Sequence, residues 1–183
     1  MKITLPLKKD TIKSLRAGDI LTITGYIYTG RDAAHKRMCE SIEKGIDLPF
    51  DIKDEIIYYV GPCPKKDGEV IGSCGPTTSG RMDAYAPKLI KLGLSGMIGK
   101  GIRSDEVIET MKKHSAIYFG AIGGAGALIA KHVKSMEVVA YEDLGTEAIH
   151  RLYVEDFPVT VVIDSQGNNL YELGKNKYKN CYN

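Results

Sequence analysis

Three short segments carry cations and hydroxyls at spacings that suit the capture of a small anion. The first, Gly75-Pro76-Thr77-Thr78-Ser79-Gly80-Arg81-Met82-Asp83, places three hydroxyls and a guanidinium in one turn-prone stretch. A guanidinium binds a carboxylate through two parallel hydrogen bonds, which fixes orientation as well as charge. The second, Tyr28-Thr29-Gly30-Arg31-Asp32-Ala33-Ala34-His35-Lys36-Arg37, offers Arg31, with His35 one helical turn further on and able to face the same side. The third, Gly96 to Ser104, sets Lys100 between Gly99 and Gly101, where the backbone can approach a ligand closely. Each segment also has a plainer reading. Thr and Ser at a helix start are ordinary caps, and Arg31 with Asp32 makes a surface ion pair worth about 0–1 kcal/mol. A histidine on an exposed helix is ordinarily solvated.

The elements that must position these groups can be read from the alternation of apolar and polar residues. Turn chemistry at Gly18-Asp19 precedes a β-rich run over 20–28, and a helix follows from Asp32 to about Lys44, closed by Gly45. Residues 56–60 predict a short strand stopped by Gly61-Pro62, with 70–74 as its hairpin-like partner across the Lys65-Lys66-Asp67-Gly68 turn. A helix is expected over 78–92, with Met82, Tyr85, Leu89 and Leu92 near one face. A strand follows over 95–98, then a helix capped by Ser104 and running to Lys113. Strands over 116–119, 137–141 and 159–164, with a helix over 125–133, complete the series, and Gly174 to Asn180 reads as a polar tail. Strands alternating with helices give an α/β domain with a mixed sheet flanked by helices. With no repeat or linker, residues 1–183 read as one domain. Arg31, Arg81 and Lys100 then fall at strand-to-helix junctions, with few obvious acids to neutralise them. In open α/β sheets ligands lie beyond the carboxyl ends of strands, so convergence of the three would make a dicarboxylate site.

Several function classes are disfavoured. The Lys100 loop departs from the phosphate-binding GxxxxGK[ST] pattern at Leu94 and Gly101, and Gly120 to Gly126 does not match GxGxxG. A formal charge of +2, evenly spread, gives no ground for nucleic-acid or membrane binding. No apolar run approaches the roughly 20 residues that span a bilayer, and the N-terminal stretch lacks a signal peptide's features, so a cytoplasmic location is expected. The four cysteines, Cys39, Cys63, Cys74 and Cys181, contain no CxxC pair. They read as reduced thiols, with no metal or cofactor expected on this chain.

The motifs resemble a known family. GPTTSGRMD at 75–83, YTGRDAAHKR at 28–37 and GKGIRS at 99–104 are similar to the β subunit, or C-terminal region, of class I fumarases. The likeness continues through IGGAGALIAKHVKSMEVVAYEDLG at 122–145 and VEDFPVTVVIDSQGNNLY at 154–171. The β subunits of L(+)-tartrate dehydratase share GPTTS and a similar lysine loop. Gly80, Asp83, the 30–35 string and Ile102-Arg103-Ser104 lean towards fumarase. The resemblance implies a swivelling β/β/α domain whose active site is shared with an α subunit. That partner holds a [4Fe–4S] cluster through three cysteines, with one iron open to substrate. Self-association of the paired subunits is also implied.

By the same resemblance, residues matching Arg31, Thr77, Arg81 and Lys100 line a dicarboxylate site, with Thr78, Ser79 and His35 as motif neighbours. Thr77, Arg81 and Lys100 are the implied catalytic set, and His35 joins Arg31 and Thr78 as an implied substrate contact. Arg81 and Lys100 would stabilise charge on one substrate carboxylate while Arg31 anchors the other. For proton transfer, Thr77 is the candidate by analogy with the hydroxyl base of aconitase-type enzymes. Two alternatives stand beside it: Thr77 only donates a hydrogen bond, or His35, with a reference pKa near 6.5, moves the proton.

Overall fold

The computed structural model describes residues 1–179; Cys181 and the last residue of the polar segment, Asn180, lie outside the described residues. The strands are β1 (Lys2–Thr4), β2 (Ile20–Thr29), β3 (Ile56–Tyr58), β4 (Gly96–Gly99), β5 (Ile117–Gly120), β6 (Val133–Ala140) and β7 (Ile149–Ile163). The helices are α1 (Lys9–Ser14), α2 (Asp32–Glu43), α3 (Ala86–Lys91), α4 (Asp105–His114), α5 (Gly126–Ala130) and α6 (Leu170–Lys179). Two 3₁₀ segments, Ser79–Met82 and Glu142–Glu147, complete the set.

One seven-stranded mixed sheet runs in the order β1-β2-β3-β4-β5-β7-β6, so the chain is α/β as expected. Neighbours from β1 to β5 are parallel, and β7 is antiparallel to β5, β6 and β2. Because β7 pairs with both β5 and β2, the pairing closes into a circuit β2-β3-β4-β5-β7-β2. Along β2, Leu21, Ile23 and Ile27 are buried while Ile20 and Tyr26 face outward, the period-two pattern of a strand with one covered face. By contrast β3 and β4 are buried at every position, since neighbours flank both edges and side chains cover both faces.

The core therefore has two parts. Ile23, Ile27, Tyr58, Phe119, Phe157 and Val161 pack in one cluster, and Met38, Met82, Leu89, Met97, Val107 and Met111 in a second that includes residues of α2, α3 and α4. Each such side chain, fully buried, contributes roughly 1.5–3 kcal/mol relative to exposure. The start of α4 follows its sequence signals: the Ser104 hydroxyl accepts from the Val107 N–H at 3.4 Å, and Asp105 and Glu106 occupy the first turn.

Departures from expectation have local causes. Residues 70–74 form no strand, because both edges of β3 are taken by the parallel strands β2 and β4; one backbone hydrogen bond, Cys63 N–H to Ser73 O at 2.9 Å, remains of the hairpin. The helix expected over 78–92 is broken into the 3₁₀ turn and α3. The backbone at Thr77 to Ser79 is bonded to strand ends instead, and Pro87 in the first turn of α3 restarts the helix. Leu92, expected on the apolar face, is 47% exposed beyond the end of α3. Helix α5 ends at Ala130, and Val133 already belongs to β6. The expected last strand is the end of the much longer β7, and the expected tail, as far as Lys179, belongs to α6.

Candidate active site

The parallel direction of β2, β3, β4 and β5 puts their carboxyl ends, Thr29, Tyr58, Gly99 and Gly120, along one edge. The Thr77–Ser79 segment is stitched into that edge by backbone bonds. The Thr77 N–H donates to Tyr59 O at 2.7 Å, the Lys100 N–H donates to Thr77 O at 3.3 Å, and the Ser79 N–H donates to Lys100 O at 2.9 Å. Thr78 and Lys100 thus face each other in a parallel bridge. The bonding explains why these residues are not helical: their N–H groups already serve the strand ends. Thr77 is half-buried, while Thr78, Arg81 and Lys100 are exposed.

Ser79 points the other way. It is 0% exposed, and its hydroxyl lies 2.8 Å from the Tyr118 hydroxyl, which donates to Gly101 O at 3.0 Å. Since Tyr118 donates its single proton to Gly101, Ser79 supplies the proton of the shared bond. A Cβ at Gly99 would collide with the Ser79 hydroxyl, so only glycine fits there.

The two arginines are held by carboxylates, against the expectation of few neutralising acids. Arg81 Nε donates to Asp32 Oδ1 at 2.8 Å, which joins the Thr77–Arg81 segment to the start of α2. Arg31 Nη2 stands 3.3 Å from Glu147 Oε1, and its Nε stands 3.9 Å from Asp32 Oδ2. Glu147 Oε2 also accepts from the Ala33 N–H at 3.1 Å, placing an acid at the N-terminus of α2 where the helix dipole favours it. Gly61 leaves room for Arg31: a Cβ there would come within 2.9 Å of Arg31 Nη1. Lys100 has no ion-pair partner among the described residues, and its side chain runs beside Gly123.

Below this edge lies a buried polar floor. The Arg103 side chain is 0% exposed, donates from Nε to Asp83 Oδ1 at 2.6 Å, and lies over the Tyr59 and Tyr118 rings at 5.3 and 5.1 Å. The other Asp83 oxygen accepts from the Ser104 N–H at 2.6 Å. Burial raises both tyrosine hydroxyls above their ordinary range, so they remain protonated.

His35, implied as a substrate contact or proton carrier beside Arg31, belongs instead to the floor, and its burial also rules out a solvated imidazole. It is fully buried and edge-on to Tyr59, with Nδ1 2.9 Å from the Arg31 carbonyl oxygen. A carbonyl only accepts, so Nδ1 carries the proton and Nε2 is a buried lone pair without a partner among the described residues. Burial, helped by the positive charge of Arg103, pushes its pKa down to about 4. His35 is neutral near neutrality and is walled off from solvent.

Thus Arg31, Thr77, Thr78, Arg81 and Lys100 share one edge, while His35 and Ser79 lie beneath it. Cavities flank the edge: about 440 Å³ beside Ile102 to Ile108 and α6, and about 350 Å³ between Pro62–Lys65 and Thr146. The edge residues line neither: Thr78, Arg81 and Lys100 are exposed, and Arg31 and Thr77 are half-buried. Sequence reading missed Glu147, remote in the chain from Arg31, and the pairing of Asp83 with Arg103. Only the adjacency of Arg31 and Asp32 hinted that acids were at hand.

Comparison with known proteins shows a family model described as Fumarase C-terminus matching residues 1–174. The aerobic class I fumarate hydratase of Escherichia coli (strain K12) is 45% identical over 154 residues, covering 83% of this chain and 28% of that protein. Fumarate hydratase 2 of Leishmania major is 40% identical over 156 residues, covering 84% of this chain and 28% of that protein. The putative L(+)-tartrate dehydratase subunit beta of Methanocaldococcus jannaschii is 41% identical over 172 residues, covering 91% of this chain and 88% of that protein. The chain therefore spans a little over a quarter of the fumarate hydratases and most of the tartrate dehydratase subunit.

Proposed function

This chain belongs to the Fumarase C-terminus family, and from that membership we propose that it is the β subunit of a two-subunit class I fumarate hydratase. It folds as one swivelling β/β/α domain and lends carboxylate-binding groups to a site completed by an α subunit. The reaction is the reversible hydration of fumarate to malate. The observation that carries the reading is the shared edge: one hydroxyl pair and three permanent cations stand at the carboxyl ends of adjacent parallel strands. Thr78, Arg81 and Lys100 are exposed there, as half of a shared site would be.

Among the described residues no group of three or more His, Cys, Asp or Glu side chains could hold a metal ion. Cys39 and Cys74 are buried, and burial pushes the Cys74 thiol up to about 12, with neighbouring Cys63 adding to the rise. By the family likeness, the proposal assigns the [4Fe–4S] cluster to the α subunit, and the roles below belong to this chain's own groups.

In the dehydration direction a proton leaves the carbon next to a carboxylate and negative charge builds on that carboxylate; the hydroxyl then leaves the neighbouring carbon as the C–C double bond forms, a departure that the partner's cluster would assist as a Lewis acid. Arg81 offers a planar fork and Lys100 an unpaired ammonium to that charge, and preorganised donors of this kind are usually the largest catalytic term. Arg31, fixed by Glu147, anchors the second carboxylate and sets orientation. Thr77 is the proton-transferring hydroxyl: an alcohol acts as a base only where nearby cations favour the alkoxide, and Arg81 stands in its own segment and Lys100 across the adjoining bridge. His35, neutral and enclosed, supports the Arg31 backbone. The reading also carries a cytoplasmic location and association of αβ units with one another; no described helix is long and apolar enough to cross a membrane.

A second substrate reading follows from length, since the chain covers 88% of a protein named as a tartrate dehydratase subunit beta. The same groups would bind tartrate, another hydroxylated dicarboxylate. Anaerobic mixing with a cluster-bearing α subunit, assayed on fumarate, malate and the tartrate isomers, decides between them. Fumarate hydration on mixing, and none by the metal-free chain alone, is the expected result; turnover by the isolated chain would defeat the division of labour.

A further inference from the structure

We infer that Asp32 is a positioning residue: its carboxylate aims the Arg81 guanidinium so that the terminal nitrogens are left for an incoming carboxylate, and it couples Arg81 to Arg31. The inference rests on the proposed function and names how this chain's half of the site is set before substrate arrives.

Asp32 is the first residue of α2 and the one acid that faces both arginine-bearing loops. Its Oδ1 takes the Nε–H of Arg81 alone, a side-on contact. A guanidinium has a second pair of donors on its two terminal nitrogens, and a carboxylate meets that pair end-on. With Nε occupied, Arg81 can turn its terminal fork outward without leaving Asp32. The burial of the two partners agrees: the Asp32 side chain is 28% exposed and that of Arg81 54%, so the anchor is sheltered and the fork is not. An exposed arginine otherwise samples many rotamers, and ordering it would fall on the binding step. Here the ordering is done on folding.

The other oxygen extends the coupling. Asp32 Oδ2 is buried without a hydrogen-bond partner, and so is Arg31 Nε, which it faces at 3.9 Å. Opposite charges this close and sheltered from water interact with little screening. Glu147 fixes Arg31 to α2, whereas Asp32 pairs with both arginines and so is the link between the two cations.

The test compares Asp32→Ala with Asp32→Asn in the full chain. Both remove the same charge from the start of α2, so both lose the same helix-dipole contribution. Only asparagine keeps an oxygen within reach of Arg81 Nε. In the enzyme assembled with its α subunit, Asp32→Ala is expected to lower kcat/KM about tenfold, with Asp32→Asn within about threefold of the unaltered enzyme. In the chain alone, NMR of arginine Nε–H groups gives an independent arm. The Arg81 signal, identified by its loss in Arg81→Lys, is expected to exchange slowly with solvent in the unaltered chain and in Asp32→Asn, and quickly in Asp32→Ala. Equal kcat/KM for the Ala and Asn variants overturns the inference, and so does an Arg81 signal that exchanges as fast in the unaltered chain as in Asp32→Ala. The exchange arm needs no turnover. A chain that hydrates nothing with any partner removes the functional reading, while the exchange rates still decide the positioning of Arg81.

Discussion

The open edge and the floor beneath it are built from the same kinds of residue, yet they hold them in opposite ways. At the edge, Lys100 has no ion partner among the described residues and Arg81 has one, reached through Nε alone. In the floor, Arg103 is wholly enclosed, bound to Asp83 and covered by two tyrosine rings. Lys100 and Arg103 are three residues apart in one loop, so neither residue type nor motif separates their roles. Burial does. A cation with unused donors at the surface remains available to a ligand, whereas one whose charge is matched in the interior is part of the scaffold.

That contrast predicts edge variants that lose turnover while staying folded, and floor variants that lose stability first. The largest effect is expected for Thr77→Ala, with kcat of the assembled enzyme down roughly 10²-fold or more and Thr77→Ser retaining most of it. A loss below about tenfold would reduce Thr77 to a hydrogen-bond donor. In the floor, Arg103→Met leaves the Asp83 carboxylate without its cation and should destabilise the chain by about 3 kcal/mol in denaturant titration. An unchanged midpoint would break the comparison outright.

His35 sharpens the comparison through pH. Its folded-state pKa of about 4 lies below the unfolded value near 6.5, so between those values the unfolded chain holds more protons and acid favours unfolding. Its contribution is complete above about pH 6.5 and falls by about 2–3 kcal/mol as pH drops from about 7 to about 4.5. Urea midpoints across that window should show the slope, and His35→Phe should flatten it. Arg81→Lys keeps the charge but loses the fork; kcat/KM should fall about tenfold with the melting temperature unmoved, because exposed ion pairs add little stability. The smallest effect belongs to Ser79→Ala, at about 1 kcal/mol of stability for a buried hydrogen bond, with the fully assembled enzyme still catalytically competent.

Which features were legible follows from how local their causes are. The strand at 20–29 and the helix from Asp32 announce themselves through period, turn residues and a terminal glycine, and the Ser104 cap is written in neighbouring residues. The Thr77 to Ser79 segment misled, because hydroxyls before an apolar run look like a helix start. Its backbone instead bonds to Tyr59 and Lys100, partners that sequence spacing does not reveal. The same holds for the charges. Arg31, Arg81 and Lys100 could be picked out singly, but Glu147 reaches Arg31 across the whole fold, and Asp83 meets Arg103 from another loop. His35 reads as a substrate contact because it sits one helical turn from Arg31 in the motif, whereas α2 packs that face against Tyr59. Long-range pairing is where local signals end.

The absence of space at Gly99 has a reach beyond its own position. A methyl group there would push on an inward hydroxyl, that hydroxyl would tug the Thr78–Lys100 rung, and the rung carries an ammonium with no ion partner among the described residues. Substitution at this residue, which bears no functional group at all, would therefore register as a displaced charge several bonds away: steric information transmitted as electrostatics.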